Sequence, residues 1–256
     1  MDRDITIAMD YGLYLPKEYQ KNAAMMRSSV ETAKRNGCDI VCFPEASLTG
    51  YSTTEDIALP KDNPLIKDMI ALSDGIVLIF GAFVIDSGKR ITQYVCKDGK
   101  VIGRYRKTHL GMNETAVVPG DELPVFDLGY CRIGFQICWE MHFPQMTATY
   151  RKKGADIVLN PTATYGSGDR RMTIWKRIVP ARSDDNRIYC ASCNLDGGSS
   201  FCSGPNGIEI NGDIIGDHLR KYTLDHALLN KYRELPETMR NIDYPSHFRP
   251  ELYDFE

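Results

Sequence analysis

The sequence predicts an α/β protein built on mixed sheets. Helix-then-strand units recur in both halves of the 256 residues, and hairpin signals stand between them. Two short apolar runs, DIVCF (39–43) and ADIVLN (155–160), read as strands buried on both faces. Two stacked sheets with helices outside account for such runs, although pattern alone leaves the stacking open.

The elements follow in order. Residues 5–9 form the first strand. Residues 22–35 form a helix with Ala, Met and Val on one face, stopped by Gly37. Residues 39–43 are a buried strand running into Pro44-Glu45, and 65–72 are helical. Residues 76–85 and 91–96 pair as a hairpin, and the Asp98-Gly99 turn leads into a strand over 100–106. A second hairpin joins 125–127 to 132–137 around Gly129. A helix over 143–153 stops at Gly154, and a buried strand follows over 155–159. Residues 172–187 are helical, with Pro180 expected to kink or split them. Residues 188–194 form a strand, and 201–213 form one more hairpin, punctuated by SGPNG and NGD. From 217 onward the chain reads as a polar, weakly patterned tail.

Composition narrows the function. Hydrophobic residues are 43% and charged residues 25% of the chain, which suits a soluble globular protein of one large domain or two small ones. The formal net charge of -3 argues against nucleic acid as a partner. No apolar run reaches the length of a membrane span. The N-terminal MDRDITIAMD lacks a signal-peptide pattern, so the protein is expected to be cytoplasmic, its eight cysteines reduced and mostly small buried hydrophobes. Cys190, Cys193 and Cys202 lack a plausibly spaced fourth ligand, and no metal site is expected.

Several strands end in a reactive or polar residue: Glu45, Lys107, Cys138 and Asn160. Ligand sites in sheet proteins gather at such ends, where the backbone is held and the side chain is free. A thiol at neutral pH needs a base or a positive charge to become a nucleophile. Glu45 is suited to take the Cys138 proton and Lys107 to stabilise the oxyanion formed when sulfur attacks a carbonyl or nitrile carbon. The backbone N–H of Trp139 is the candidate second oxyanion donor. Each residue also has a plainer reading: a buried cysteine, a solvated loop carboxylate, and one lysine of a basic edge with Arg104 and Arg106.

Three segments, FPEASLTGY (43–51), YRKTHL (105–110) and IGFQICWEMHFPQ (133–145), resemble the signature regions of the nitrilase, or carbon–nitrogen hydrolase, superfamily in order and spacing. PGDELPVFDLGYCRIG (119–134), NPTA (160–163), ARSDDNRIYCASCN (181–194) and FCSGPNGIEINGDIIGD (201–217) extend the resemblance. It implies a four-layer α-β-β-α sandwich, with 1–256 as a single hydrolase domain and the part from about 217 a tail engaged in subunit contacts. It implies Glu45 as general base, Lys107 as oxyanion support, Cys138 as nucleophile, and Glu114, in NETAVVPG, as a second glutamate positioning substrate or Lys107. A homodimer or larger assembly is implied, with the helices after Cys138 in the interface. The implied reaction is hydrolysis of a small-molecule amide or N-carbamoyl compound through a thioester, with no cofactor.

The sequence departs from the pattern in places. Cys-Trp-Glu is typical of nitrilases proper, whereas the short chain and YRKTHL resemble the amidase and N-carbamoyl hydrolase branches. His142 and Gln145 stand where arginine and glutamate are frequent. Tyr51, Asn160, Thr162 and Arg171 are candidate substrate contacts, each with a structural alternative, and His109 is a candidate hydrogen-bonding partner near Lys107. Two rivals remain open: nitrile hydrolysis, and a catalytically silent homologue acting as a binding or assembly subunit.

Overall fold

The computed structural model describes residues 1–166, 168–196, 200–234 and 249–252. A first βαβαβ run contains β1 (Ile5–Asp10), α1 (Tyr19–Arg35), β2 (Ile40–Cys42), β3 (Leu59–Pro60), α2 (Pro64–Ala71) and β4 (Val77–Ile85). In it β2 lies parallel to both β1 and β4. β5 (Lys89–Lys97) and β6 (Lys100–Arg106) continue the sheet antiparallel. Their connection carries Asp98 at φ +51° and Gly99 at φ +70°, the two left-handed residues that match a tight turn to the twist of a hairpin. Asn63 accepts from the Leu65 N–H at 2.9 Å and Pro64 follows it, which together start α2.

The second half repeats the plan. β7 (Phe126–Asp127) pairs with β8 (Arg132–Phe135), and then come α3 (Pro144–Lys152), β9 (Ile157–Thr162), α4 (Gly168–Asn186) and β10 (Tyr189–Asn194). Here β9 is parallel to both β8 and β10, and β11 (Ser200–Ser203) edges the sheet antiparallel to β10. β12 (Asp213–Gly216) and β13 (Leu219–Leu224) return to the first sheet, β13 antiparallel to β1, and α5 (His226–Glu234) follows. The first sheet runs β12-β13-β1-β2-β4-β5-β6, with β3 beside β4, and the second runs β11-β10-β9-β8-β7.

Side chains alternate along the strands and so assign the layers. Val77, Ile79 and Phe83 of β4 join Ile133, Phe135 and Ile157 of the second sheet in one core. Leu78, Phe80, Ala82 and Val84 face Met26 and Val30 of α1 and Ile66 and Met69 of α2. Tyr150, Trp175 and Val179 bring α3 and α4 against the second sheet. The architecture is the four-layer α-β-β-α sandwich. Between the sheets, Tyr105 stacks on Phe135 at 5.8 Å and Phe126 meets Phe135 edge-on at 5.7 Å.

Four expectations need correction. β8 ends at Phe135, so Cys138 stands beyond the strand, at the head of a 3-10 turn over Cys138–His142. α4 runs through Pro180 unsplit, because the missing N–H removes one bond while the helix stays packed on β10 and β11. Residues 201–213 are not one hairpin, since β11 and β12 belong to different sheets, although Ser203 and Glu209 form an isolated bridge. The stretch after 217 holds a strand and a helix, disguised in LRKYTL by Arg220 and Lys221 between the buried Leu219, Tyr222 and Leu224. Of the tail expected to engage in subunit contacts, residues 235–248 and 253–256 lie outside the described residues. Among the described residues no helix is long and apolar enough to cross a membrane.

Phe135 is fully buried at the junction of the sheets. Phe135→Ala is expected to lower stability by about 3–5 kcal/mol, read as a fall in the urea midpoint at unchanged slope.

Candidate active site

Glu45, Lys107, Glu114 and Cys138 come from three connections, Lys107 and Glu114 sharing the one between β6 and β7. The Glu45 loop leaves β2 and lies flat on β4. Leu48 N–H donates to the Gly81 carbonyl at 3.0 Å, and a Cβ on Gly81 would overlap the Ala46 amide nitrogen. Ala46, next to Glu45, is itself in the left-handed region at φ +56°. Lys107 follows β6, and its backbone is fixed by its N–H to the Ile91 carbonyl at 3.0 Å and by Gly120 N–H to its own carbonyl at 2.8 Å.

The Lys107 ammonium lies between two carboxylates. Nζ donates to Glu45 Oε1 at 2.8 Å and to Glu114 Oε1 at 2.7 Å, and all three side chains are within 2% of complete burial. Glu114 is anchored in turn, since Gly111 N–H donates to its Oε2 at 2.7 Å and Tyr51 Oη–H to its Oε1 at 2.7 Å. Burial alone would lower the proton affinity of Lys107, but Glu45, the Cys138 sulfur and Glu114 reverse this and hold it protonated. For Glu45 burial wins over the pull of Lys107, and its pKa is pushed up to about 7. Burial, then the charges of Glu45 and Glu114, pushes the Tyr51 phenol up, so it stays a donor. Glu45 Oε2 is buried with no hydrogen-bonding partner among the described residues.

Cys138 is the one cysteine of the eight that is not fully buried. Its φ of +50° puts a residue with a Cβ in the left-handed region, a strained conformation that persists only where the surroundings enforce it. Those surroundings are specific. Asn160 Nδ2 donates to the carbonyls of Gln136 and Cys138, the latter at 3.2 Å. Gln136 Nε2 donates to the carbonyls of Glu140 and Phe143 at 2.8 and 3.1 Å, and Gln136 Oε1 accepts from Thr147 at 2.5 Å.

The remaining sequence candidates divide. Trp139 follows Cys138 in the turn and is 43% exposed. Tyr51 joins the carboxylate cluster. Asn160 and Thr162 are fully buried, and Asn160 Oδ1 accepts from Ser192 at 2.8 Å and Thr162 at 3.2 Å. Asn160 therefore sits beneath the turn with both ends of its amide engaged. Arg171 belongs to α4, but its side chain lies outside those described. His109 accepts or donates at Thr108 Oγ1 at 2.8 Å and packs on Phe143 at 4.2 Å between centroids. His142 lies between Trp139 and Trp175, at 5.0 and 5.4 Å between ring centroids, while Gln145 is exposed. Gln136, Tyr105 and Glu140, which the motifs do not single out, also form the site. The legible signal was a glutamine and a glutamate inside an otherwise apolar stretch.

Removing Lys107 would leave two buried carboxylates unmatched. Lys107→Met is expected to lose about 3–5 kcal/mol of stability at pH 8. The loss should shrink toward pH 5.5, where protonation of Glu45, already displaced upward, removes the uncompensated charge. Urea unfolding of both proteins at the two pH values measures this, and an equal loss at both would contradict it.

A family model described as carbon-nitrogen hydrolase matches residues 11–215. The chain is similar to omega-amidase NIT2 of Mus musculus, at 26% identity over 254 residues, 90% of each chain. It is similar to the citrullinase of Francisella tularensis, at 29% identity over 272 residues, 91% of this chain and 92% of that protein. Among solved structures, an amidase from Nesterenkonia sp. superposes with a TM-score of 0.81 at 24% identity, over 98% of this chain and 96% of the other.

Proposed function

The chain belongs to the carbon–nitrogen hydrolase family, and on that premise we propose that it hydrolyses a small amide or N-carbamoyl compound, releasing ammonia through a thioester on Cys138. The observation that carries this reading is one ammonium, Lys107, buried between Glu45 and Glu114 and within electrostatic reach of a strained, partly open thiol. The names of two relatives, an omega-amidase and a citrullinase, support amide and ureido substrates, while a third relative is named a nitrilase. The substrate class remains part of the proposal.

The steps follow from the geometry. Glu45 takes the Cys138 proton on Oε2, the oxygen that no protein group engages, and sulfur bonds to the substrate carbon. The negative charge moves to the substrate oxygen, and Lys107 Nζ–H and the Trp139 N–H are the donors assigned to it in this proposal. The tetrahedral species collapses, the carbon–nitrogen bond breaks, and Glu45 returns its proton to the departing nitrogen. Water then gives a proton to the same carboxylate and adds to the thioester carbon. Carbon–sulfur cleavage releases the acid, and the proton goes back to sulfur. Lys107 keeps its proton throughout, which its two carboxylate partners favour. Glu114 and Tyr51 hold Lys107 in place. A cytoplasmic setting and assembly as a homodimer through α3 and α4 belong to the same reading.

Ammonia release from a panel of ω-amides, N-carbamoyl amines, short amides and nitriles tests the proposal. One class should respond in the wild type, and Cys138→Ala should abolish the response. A response confined to nitriles would overturn the substrate class. Cys138→Ala turning over at the wild-type rate would overturn the mechanism. With the active substrate, kcat/KM should fall about tenfold per pH unit below a pKa near 7, because Glu45 must be ionised to act as base. Glu45→Gln should remove activity together with that acid limb.

A further inference from the structure

Glu140 takes no part in the steps above, yet it is fully buried and its carboxylate is the most heavily engaged near the site. Its Oε1 accepts from Thr108 N–H at 2.7 Å, Thr108 Oγ1–H at 2.7 Å and His109 N–H at 3.0 Å. Its Oε2 accepts from Ile137 N–H at 2.6 Å. The Tyr105 hydroxyl lies 2.7 and 2.8 Å from the two oxygens. Tyr105, Thr108 and His109 bracket Lys107 on both sides, and Ile137 immediately precedes Cys138.

We propose that Glu140 is a positioning residue, one carboxylate that fixes the strand end bearing Lys107 against the turn bearing Cys138. The two segments belong to different sheets, and the ladder of neither sheet relates them. Glu140 occupies the third position of the 3-10 turn and reaches back to the N–H of Ile137, as an acid does at a helix start. From the same group it reaches across to the other sheet. An ionised carboxylate offers about four lone-pair sites and no donor, which suits a cage made wholly of N–H and O–H groups. Glutamine would turn an NH₂ group toward those donors. Aspartate, one methylene shorter, would hold one segment and release the other.

The consequence is geometric. Misplacing reacting groups by about 1 Å lowers rate by about 100-fold, so a residue that sets the distance between the thiol and the ammonium acts on turnover without touching substrate. The inference rests on the proposed roles of Cys138 and Lys107.

The experiment reads Cys138 directly with iodoacetamide, following the labelled tryptic peptide by mass spectrometry at neutral pH, alongside kcat and KM on the active substrate. Circular dichroism confirms that each protein is folded. Glu140→Gln should slow labelling and kcat by about 100-fold with KM within about twofold. Tyr105→Phe leaves the ring stacked on Phe135 and removes only the hydroxyl, and it should slow both by about tenfold. If Glu140→Gln does not fold, the Tyr105→Phe, Thr108→Val pair carries the test. Wild-type labelling and kcat in folded variants, with only the melting temperature lowered, would reduce Glu140 to a structural residue and sink the proposal. Turnover that survives Cys138→Ala, or wild-type Cys138 labelled no faster than a free thiol, would instead remove the functional reading beneath it.

Discussion

One buried cation organises this molecule. The Lys107 ammonium is withdrawn from water and held at 2.8 and 2.7 Å from two carboxylates. Each charge would be expensive to bury alone, and the three tolerate burial only together. That requirement reaches outward. Glu45 needs a loop pressed onto β4, which Gly81 permits by lacking a side chain. Glu114 needs the Gly111 and Tyr51 donors. Lys107 needs a strand end pinned on both sides. Two carboxylates against one ammonium also leave an excess of negative charge, and the site is left holding or seeking one proton near neutrality.

The second constraint is conformational. Cys138 and Ala46 both adopt backbone geometry that side chains disfavour, and both lie beside the carboxylate and thiol chemistry. The side chains of Gln136, Asn160 and Glu140 each bond at least one backbone group of the turn or of the residue before it. Their common effect is a turn with few alternatives. Polar groups preset in this way need little rearrangement as charge develops on a substrate, which is where a fixed environment outperforms water.

Much of this was legible in the sequence, for physical reasons. DIVCF and ADIVLN had to be buried on both faces, and β2 and β9 are central strands of their sheets. Asp98-Gly99 could only be a tight turn. Glu45, Lys107, Glu114 and Cys138 were singled out by residue type and motif, and the fold gathers the three charged groups into one cluster with the sulfur in electrostatic reach. What stayed hidden depends on long-range partners. LRKYTL shows no clean alternation because it is a strand beside β1 with Arg220 and Lys221 at half-buried positions. Asn160 resembled a ligand because it ends a strand, and only the turn lying above it shows where its amide goes. Glu140 looked like the tail of a motif, since its donors come from residues 105–109, some thirty positions earlier.

The return of β13 to β1 has a bearing on how the protein is made. Chain order separates the chemistry: Glu45, Lys107 and Glu114 emerge from the ribosome first, Cys138 follows, and the strand that pairs with β1 is synthesised only at Leu219–Leu224. The charged cluster and the thiol lie on connections of opposite sheets, so they meet only when the sheets close on each other. On the proposed chemistry, the thiol gains its base and its ammonium only where the two sheets pack together, through the aromatic contacts of Tyr105 and Phe135, so activation of the sulfur is a property of the folded protein and not of the chain.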